Sequence, residues 1–396
     1  MRFIHKNYFS WINSNVFGFG LASFFGDTGY EITTVLLPMF VQNLIGSKDA
    51  PLAVGFITGV ADAIASCIKP FSGWLGDRFP KKPIIIFGYA ITGFFSALIG
   101  IATSITSITL LRTVAWFGKG VREPARDALL SQSITSSLYG RAFGLNRALD
   151  TAGALFGPLL ALLLINFISL HTIFLLTMVP GFFAVLMIVI FVKEKLTTKQ
   201  TEHAYNFFNS ITALPSQFYY FVIVMFIFGC GNFSRTLLVL YTHNYAPNSF
   251  SIPILLYSLF NVIRAVSEYY SGWLSDFYRR KLLLQSGFFF FGCTSLMLLY
   301  HSTSLWFLTI IFILTGISTG IVSPLERARA AELLPEEVRS TGFGVLQFID
   351  GVGDFVSSFI VGLLWTYYSM AAGFLYAAIL SGISVIALGF QKDYFK

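Results

Sequence analysis

Long apolar runs separated by short polar clusters repeat along the whole chain. A helix that crosses a bilayer needs roughly 20 predominantly apolar residues. On that rule the pattern predicts twelve spanning helices. The first six cover about 14–44, 51–76, 83–104, 106–130, 140–166 and 172–192. The second six cover about 216–245, 251–276, 281–301, 304–332, 340–366 and 370–391. One longer polar stretch, Lys193 to Pro215, lies between the two groups. The expected architecture is therefore an all-α membrane protein of two six-helix bundles, 1–192 and 216–396, joined by a linker at 193–215.

Composition agrees with this pattern. Of 396 residues 55% are hydrophobic and 11% are charged, whereas a soluble domain carries roughly 25% charged residues. The net charge of +7 would suggest a nucleic-acid partner in a soluble protein. Here the basic residues, among them Arg2, Lys6, Arg78, Lys81, Lys82, Arg141, Lys193, Arg279, Arg280 and Arg339, fall on one side of an alternating topology. The opposite loops offer only Lys48. Spanning proteins keep Lys and Arg on the cytoplasmic side, so both termini are expected there, in a cell (inner) membrane. The first apolar run lacks a small-residue cleavage site and reads as the first span. Cys67, Cys230 and Cys293 lie in separate apolar segments without metal-ligand spacing.

The chain carries an internal echo. Gly73-Trp74-Leu75-Gly76-Asp77-Arg78 through Lys82 returns as Gly272-Trp273-Leu274-Ser275-Asp276-Phe277 through Lys281. Phe143-Gly144 through Asp150 and Gly153 returns as Phe343-Gly344 through Asp350 and Gly353. Internal repeats of spanning helices mark secondary transporters, with a site near the midplane between them. The Gly73 and Gly272 stretches resemble the loop motif of the major facilitator superfamily, with Pro80 where that motif has Gly and no Arg after Asp276. On that resemblance Gly73, Asp77, Arg78, Gly272, Asp276 and Arg279 stabilise the outward-open state. Each acid would accept from backbone N–H groups where a helix of the other bundle starts, Arg339-Ser340-Thr341 for Asp77 and Tyr139-Gly140-Arg141 for Asp276. Arg78 and Arg279 would pair locally. The fourth span ends in Gly118-Lys119-Gly120-Val121-Arg122-Glu123-Pro124-Ala125-Arg126-Asp127, which resembles a bacterial branch of the same superfamily. Pro124 is expected to kink or end the membrane part. In the fifth span Gly144, Gly153, Gly157 and Pro158 resemble the antiporter motif, with Ala161-Leu162 replacing its Gly pair. Glycines at this spacing permit close helix approach.

A charge inside a bilayer needs a partner or water. Depth counted at about 1.5 Å per residue pairs Asp27 with Lys119 and Glu31 with Arg112. Nearer the basic side, the resemblance implies that the fifth span faces the eighth and the second faces the eleventh, which pairs Arg147 with Glu268, Asp150 with Arg264 and Lys69 with Asp350 as contacts between bundles that break during transport. Static pairing within one bundle is the plain alternative. Asn232 and Arg235 follow a glycine-rich break in the seventh span and suit an anionic substrate group. Glu326 and Arg327 read as gate or surface residues, and Asp62 has no evident partner.

These readings exclude an enzyme, and no phosphate-binding loop with its Lys-Ser/Thr appears. The expected function is secondary active transport of a small anionic or zwitterionic molecule, by proton-coupled export, with import of an organic anion as the alternative. A receptor or non-transporting subunit on the same fold is a third class. The expected partners are substrate, protons and lipid, with no cofactor, no metal and no nucleic acid, and the expected state is a monomer.

Overall fold

The protein is described by a computed structural model, covering residues 11–46, 49–194, 206–233, 237–238, 241–242, 251–300 and 304–391. Arg235 lies outside these residues. The described helices are α1 (Ser14–Ile45), α2 (Ala50–Arg78), α3 (Lys81–Leu98), α4 (Ile105–Gln132), α5 (Tyr139–Leu164), α6 (Leu170–Leu176) and α7 (Met178–Phe191). After the linker come α8 (Phe207–Thr212), α9 (Ser216–Gly231), α10 (Ser251–Leu274), α11 (Arg280–Met297), α12 (Leu305–Leu333), α13 (Arg339–Tyr367) and α14 (Met370–Phe390). Among the described residues eight helical segments are long and apolar enough to cross a membrane. The α4 helix falls short because Arg112, Lys119, Arg122, Glu123, Arg126 and Asp127 all lie on it. A helix so charged can span only with its polar face turned into protein.

Of the two outcomes expected at Pro124, a kink or an end, the helix does not end there: α4 runs through it to Gln132. Neighbouring helices and local adjustments make an internal proline tolerable in a spanning bundle. Proline does interrupt the sixth span. Pro180 has no N–H to bond the Leu176 carbonyl, and the helix divides at Thr177 into α6 and α7. The seventh span stops early, at Gly231, where Asn232 leaves helical geometry with φ −77° and ψ 77°. Part of the linker is helical as α8, whose Phe207 ring lies 6.2 Å from Phe71 and 6.3 Å from Trp74.

The two groups of helices pack in matching patterns. In the first, α1 packs on α5 and α7, while α4 packs on α2 and α3. In the second, α14 and α13 cover α9, and α12 packs on α10 and α11. The halves meet along two seams, α2 against α13 and α5 against α10. Small residues line both seams where backbones touch. A methyl on Gly73 would run into the Ser340 carbonyl and stand 2.9 Å from Thr341 Cα. One on Gly272 would run into the Gly140 carbonyl and stand 2.8 Å from Gly144 Cα. Phe143 and its repeat partner Phe343 meet across the halves at 5.9 Å. All these contacts lie toward one end of the molecule, the end with the basic loops, and that end is closed.

Candidate functional site

Two loop acids tie this closed end together. Asp77 accepts from Ser340 N–H at 2.8 Å and Thr341 N–H at 2.7 Å, in the first turn of α13. Asp276 accepts from Gly140 N–H at 3.0 Å and Arg141 N–H at 3.3 Å, in the first turn of α5. A carboxylate at a helix N-terminus satisfies orphan donors and meets the positive end of the dipole. Arg280, four residues after Asp276, supplies the cation that position 277 lacks, at 3.2 Å, and Arg141 adds another at 3.1 Å. Burial pushes the Asp276 carboxyl above its usual range, against the pull of Arg280 and Arg141. Arg78 packs over the Trp74 and Phe79 rings. Of Gly144, Gly153 and Gly157, Gly144 faces the other half, where a methyl would stand 2.7 Å from the Glu268 carbonyl. Gly153 and Gly157 instead let α5 approach α1 beside Asp27 and Glu31, and α5 continues through Pro158.

The expected cross-half ion pairs do not form. Arg147 binds Asp150 at 2.8 Å on its own helix, and Arg264 binds Glu268 at 2.9 Å on its own. Partners three or four residues apart on one helix are already within reach, so each acid is satisfied locally. Lys69 pairs with Glu123 at 3.0 Å inside the first half and not with Asp350. Only Glu268 reaches across, accepting from the Thr151 hydroxyl at 2.7 Å.

The charge network joining the halves is centred on Asp127, which is 0% exposed. Within the first half it receives Arg126 at 3.1 Å and Arg147 at 3.6 Å. From the second half it receives Arg327 Nε at 3.3 Å and Gln347 Nε2 at 2.9 Å. Arg126 also lies 3.7 Å from Asp150. A buried carboxylate is stable only when such donors surround it. The sequence reading left Asp127 without a role and put Glu326 and Arg327 at a gate or the surface. In the structure both of the latter are interior. A signal for them exists: Pro124 and Pro324 are 200 residues apart, which aligns Arg126-Asp127 with Glu326-Arg327. The two dipeptides have opposite charge order, so equivalent positions can pair across a two-fold relation.

In the first half Asp27 finds Arg122 at 4.0 Å, while Lys119 donates to the Tyr30 hydroxyl at 3.2 Å. The expected Asp27–Lys119 pair is thus replaced by a contact one turn away on α4; Lys119 stays within electrostatic range of Asp27. Arg112 donates to the Thr34 hydroxyl at 2.9 Å and stacks 3.3 Å from the Trp116 ring, within electrostatic range of Glu31 and Asp62. Asp62, which had no account from the sequence, accepts the Trp116 indole N–H at 2.7 Å.

A cavity of about 190 Å³ opens between α9, α10, α12 and α13. Asn232, Arg264, Glu326, Arg327, Asp350 and Asp354 give it a polar lining of both signs. Glu326, Asp350 and Asp354 place three carboxyl groups on that wall. Among the described residues no group of three or more such side chains is placed to hold a metal ion.

The sequence model of the Major Facilitator Superfamily matches residues 19–253 and 219–395. The chain is similar to an uncharacterized MFS-type transporter of Methanocaldococcus jannaschii, at 31% identity over 96% of this chain and 95% of that one. It is also similar to the multidrug resistance protein MdtG of Proteus mirabilis, at 28% identity over 48% of this chain and 47% of that one. Among solved structures the human organic anion transporter MFSD10 superposes with a TM-score of 0.78, at 13% identity, over 95% of this chain and 99% of that one. With its paired helix bundles, its repeated loop acids and a polar cavity between spanning helices, the chain belongs to the major facilitator superfamily and is a membrane transporter, not an enzyme.

Proposed function

We propose that the protein exports a small anionic or zwitterionic molecule in exchange for protons, by alternating access. The observation that carries this reading is the cavity of about 190 Å³ with guanidinium and carboxyl groups on its wall. Charges of both signs facing a hollow inside a spanning bundle serve a polar cargo or an ion path. Arg264 and Asn232 offer donors to an anionic group. Export is favoured by the likeness of half the chain to a protein named for multidrug resistance. The basic loops and both termini face the cytoplasm on this reading, so the closed basic end describes an outward-open transporter. The halves act as the moving bodies, and Asp77 and Asp276 act as catches that release when the basic end opens.

Proton flux tests the proposal. Purified protein is placed in liposomes with a pH-sensitive dye inside, and organic acids, zwitterions and lipophilic cations are added in turn. The expected result is a proton flux that depends on an acidic or zwitterionic compound and is lost in Arg264→Gln. A flux elicited by lipophilic cations alone would overturn the substrate class. Substrate movement without proton movement would overturn the coupling.

A further inference from the structure

Resting on the reading of Arg264 as a donor to an anionic cargo, we infer that Glu268 and Thr151 are positioning residues that make the cavity's hold on that cargo depend on whether the seam between α5 and α10 is closed. The Glu268 carboxylate is forked between two tasks. Its Oε1 accepts from Arg264 Nε at 2.9 Å, and Arg264 lines the cavity. Its Oε2 accepts from the Thr151 hydroxyl of the opposite half at 2.7 Å. Glu268 itself is 0% exposed and takes no part in the cavity wall. Its effect on cargo therefore runs through Arg264.

The surrounding backbone fixes the fork. On one side α5 lies so close that a methyl on Gly144 would stand 2.7 Å from the Glu268 carbonyl. On the side of α12 a methyl on Gly320 would stand 2.8 Å from the Arg264 carbonyl. Arg147, the cation that α5 carries one turn before Thr151, is engaged by Asp150 at 2.8 Å and by Asp127 at 3.6 Å. The repeat shows that the arrangement is particular to this seam. The alignment of Gly73 with Gly272 places Ala65 and Lys69 where the second half has Arg264 and Glu268. The alignment of Gly153 with Gly353 places Gly351 where the first half has Thr151. At these positions the α2–α13 seam has neither the carboxylate nor the hydroxyl, and Lys69 turns to Glu123 within its own half.

With the seam closed, Glu268 is dry and its attraction for Arg264 is strongest. An anionic cargo must then compete for the guanidinium. Drawing that group away leaves a buried carboxylate with one neutral donor, which is unfavourable. Once the seam parts, Thr151 leaves with its half and water reaches Glu268. The ion pair weakens in the higher dielectric, and Arg264 turns to the cargo. These are two ends of one coupling: a closed basic end loosens the cargo, and bound cargo favours an open one. For an exporter this means capture on the inside and release on the outside.

Spin-label distances test the relay without any cargo. With Cys67, Cys230 and Cys293 replaced by Ser, labels are placed at Ser137→Cys and Tyr278→Cys, two exposed positions that flank the seam at the basic end. Arg264→Gln leaves Glu268 without its cation and is expected to shift the distribution to longer distances than in the parent. Thr151→Val is expected to lower the closed-to-open ratio roughly tenfold, the worth of one hydrogen bond to a buried charge. Arg264→Gln combined with Glu268→Gln removes the charge and its partner together. The parent distribution is expected to return, which separates the relay from a general loosening of the fold. If Arg264→Gln keeps the parent distances, or if adding Glu268→Gln fails to restore them, Arg264 is not tied to the seam through Glu268 and the inference is wrong. An unchanged ratio in Thr151→Val overturns it as well. Should no compound drive flux in the liposome assay, the cargo reading falls while the distances still decide the relay.

Discussion

Asp127→Asn opens the basic end. In a background with Cys67, Cys230 and Cys293 replaced by Ser, a reporter at Ser340→Cys will react with a water-soluble maleimide far faster in the Asp127 variant than in the parent. Ser340 is buried against Gly73 and Gly76 while the end is closed. The asparagine keeps the size of the side chain and removes the charge that Arg327 and Gln347 reach from the opposite half. Removing one partner of a buried ion pair costs about 3–5 kcal/mol, and part of that is lost only in the closed form. A shift of about 3 kcal/mol is roughly a hundredfold in population, and the labelling rate should follow it. Arg327→Gln should have a similar effect. The double variant should be less open than the sum of the two singles, as coupled partners require. Unchanged labelling in both singles, with monodisperse protein, would mean that the seams alone hold the end shut.

The architecture was legible because a bilayer demands long apolar helices and because the chain repeats itself. The partners of Asp77 and Asp276 were legible for a related reason. The starts of the fifth and eleventh spans can be located from the polar-to-apolar switch, and free N–H groups are always found there. The ion pairs were less legible. Counting residues gives the depth of Arg147 or Lys69 along a helix, but not the direction in which the side chain leaves it. Arg147 and Arg264 found acids one turn away on their own helices, and Lys69 found Glu123 within its half. Asp127 was hidden by its neighbours, since Arg122, Glu123 and Arg126 make that stretch look like a solvated helix end. The equal spacing of Pro124 and Pro324 carried the missing information. It superposes Arg126-Asp127 on Glu326-Arg327 and turns two unremarked dipeptides into a cross-half pair.

Gly272→Ala will stop transport while leaving the protein folded. Each half has its own packing, and a methyl on Gly272 would first meet the opposite one, at Gly140 and Gly144 of α5. An added methyl meets the Gly140 carbonyl and lies 2.8 Å from Gly144 Cα. Both are backbone atoms, so no side chain can swing aside, and α5 and α10 must separate. Overpacking of this kind typically costs about 1–3 kcal/mol. Separation also pulls Asp276 away from the Gly140 and Arg141 N–H groups, now at 3.0 and 3.3 Å. The closed basic end then loses its seam and its catch together, and the cycle cannot return through it. The Ser340→Cys reporter stands on the other seam, between α2 and α13. If it labels faster in Gly272→Ala, the whole end has opened and the two seams act as one device. If transport is lost but Ser340→Cys stays protected, the seams act separately and the halves do not move as rigid bodies. Gly59→Ala is the control: nothing lies within 4 Å of a methyl there, and a helical alanine adds up to about 1 kcal/mol of stability over glycine. Transport in that variant should match the parent, so a loss at Gly272 reports the contact between halves and not the mere exchange of glycine for alanine.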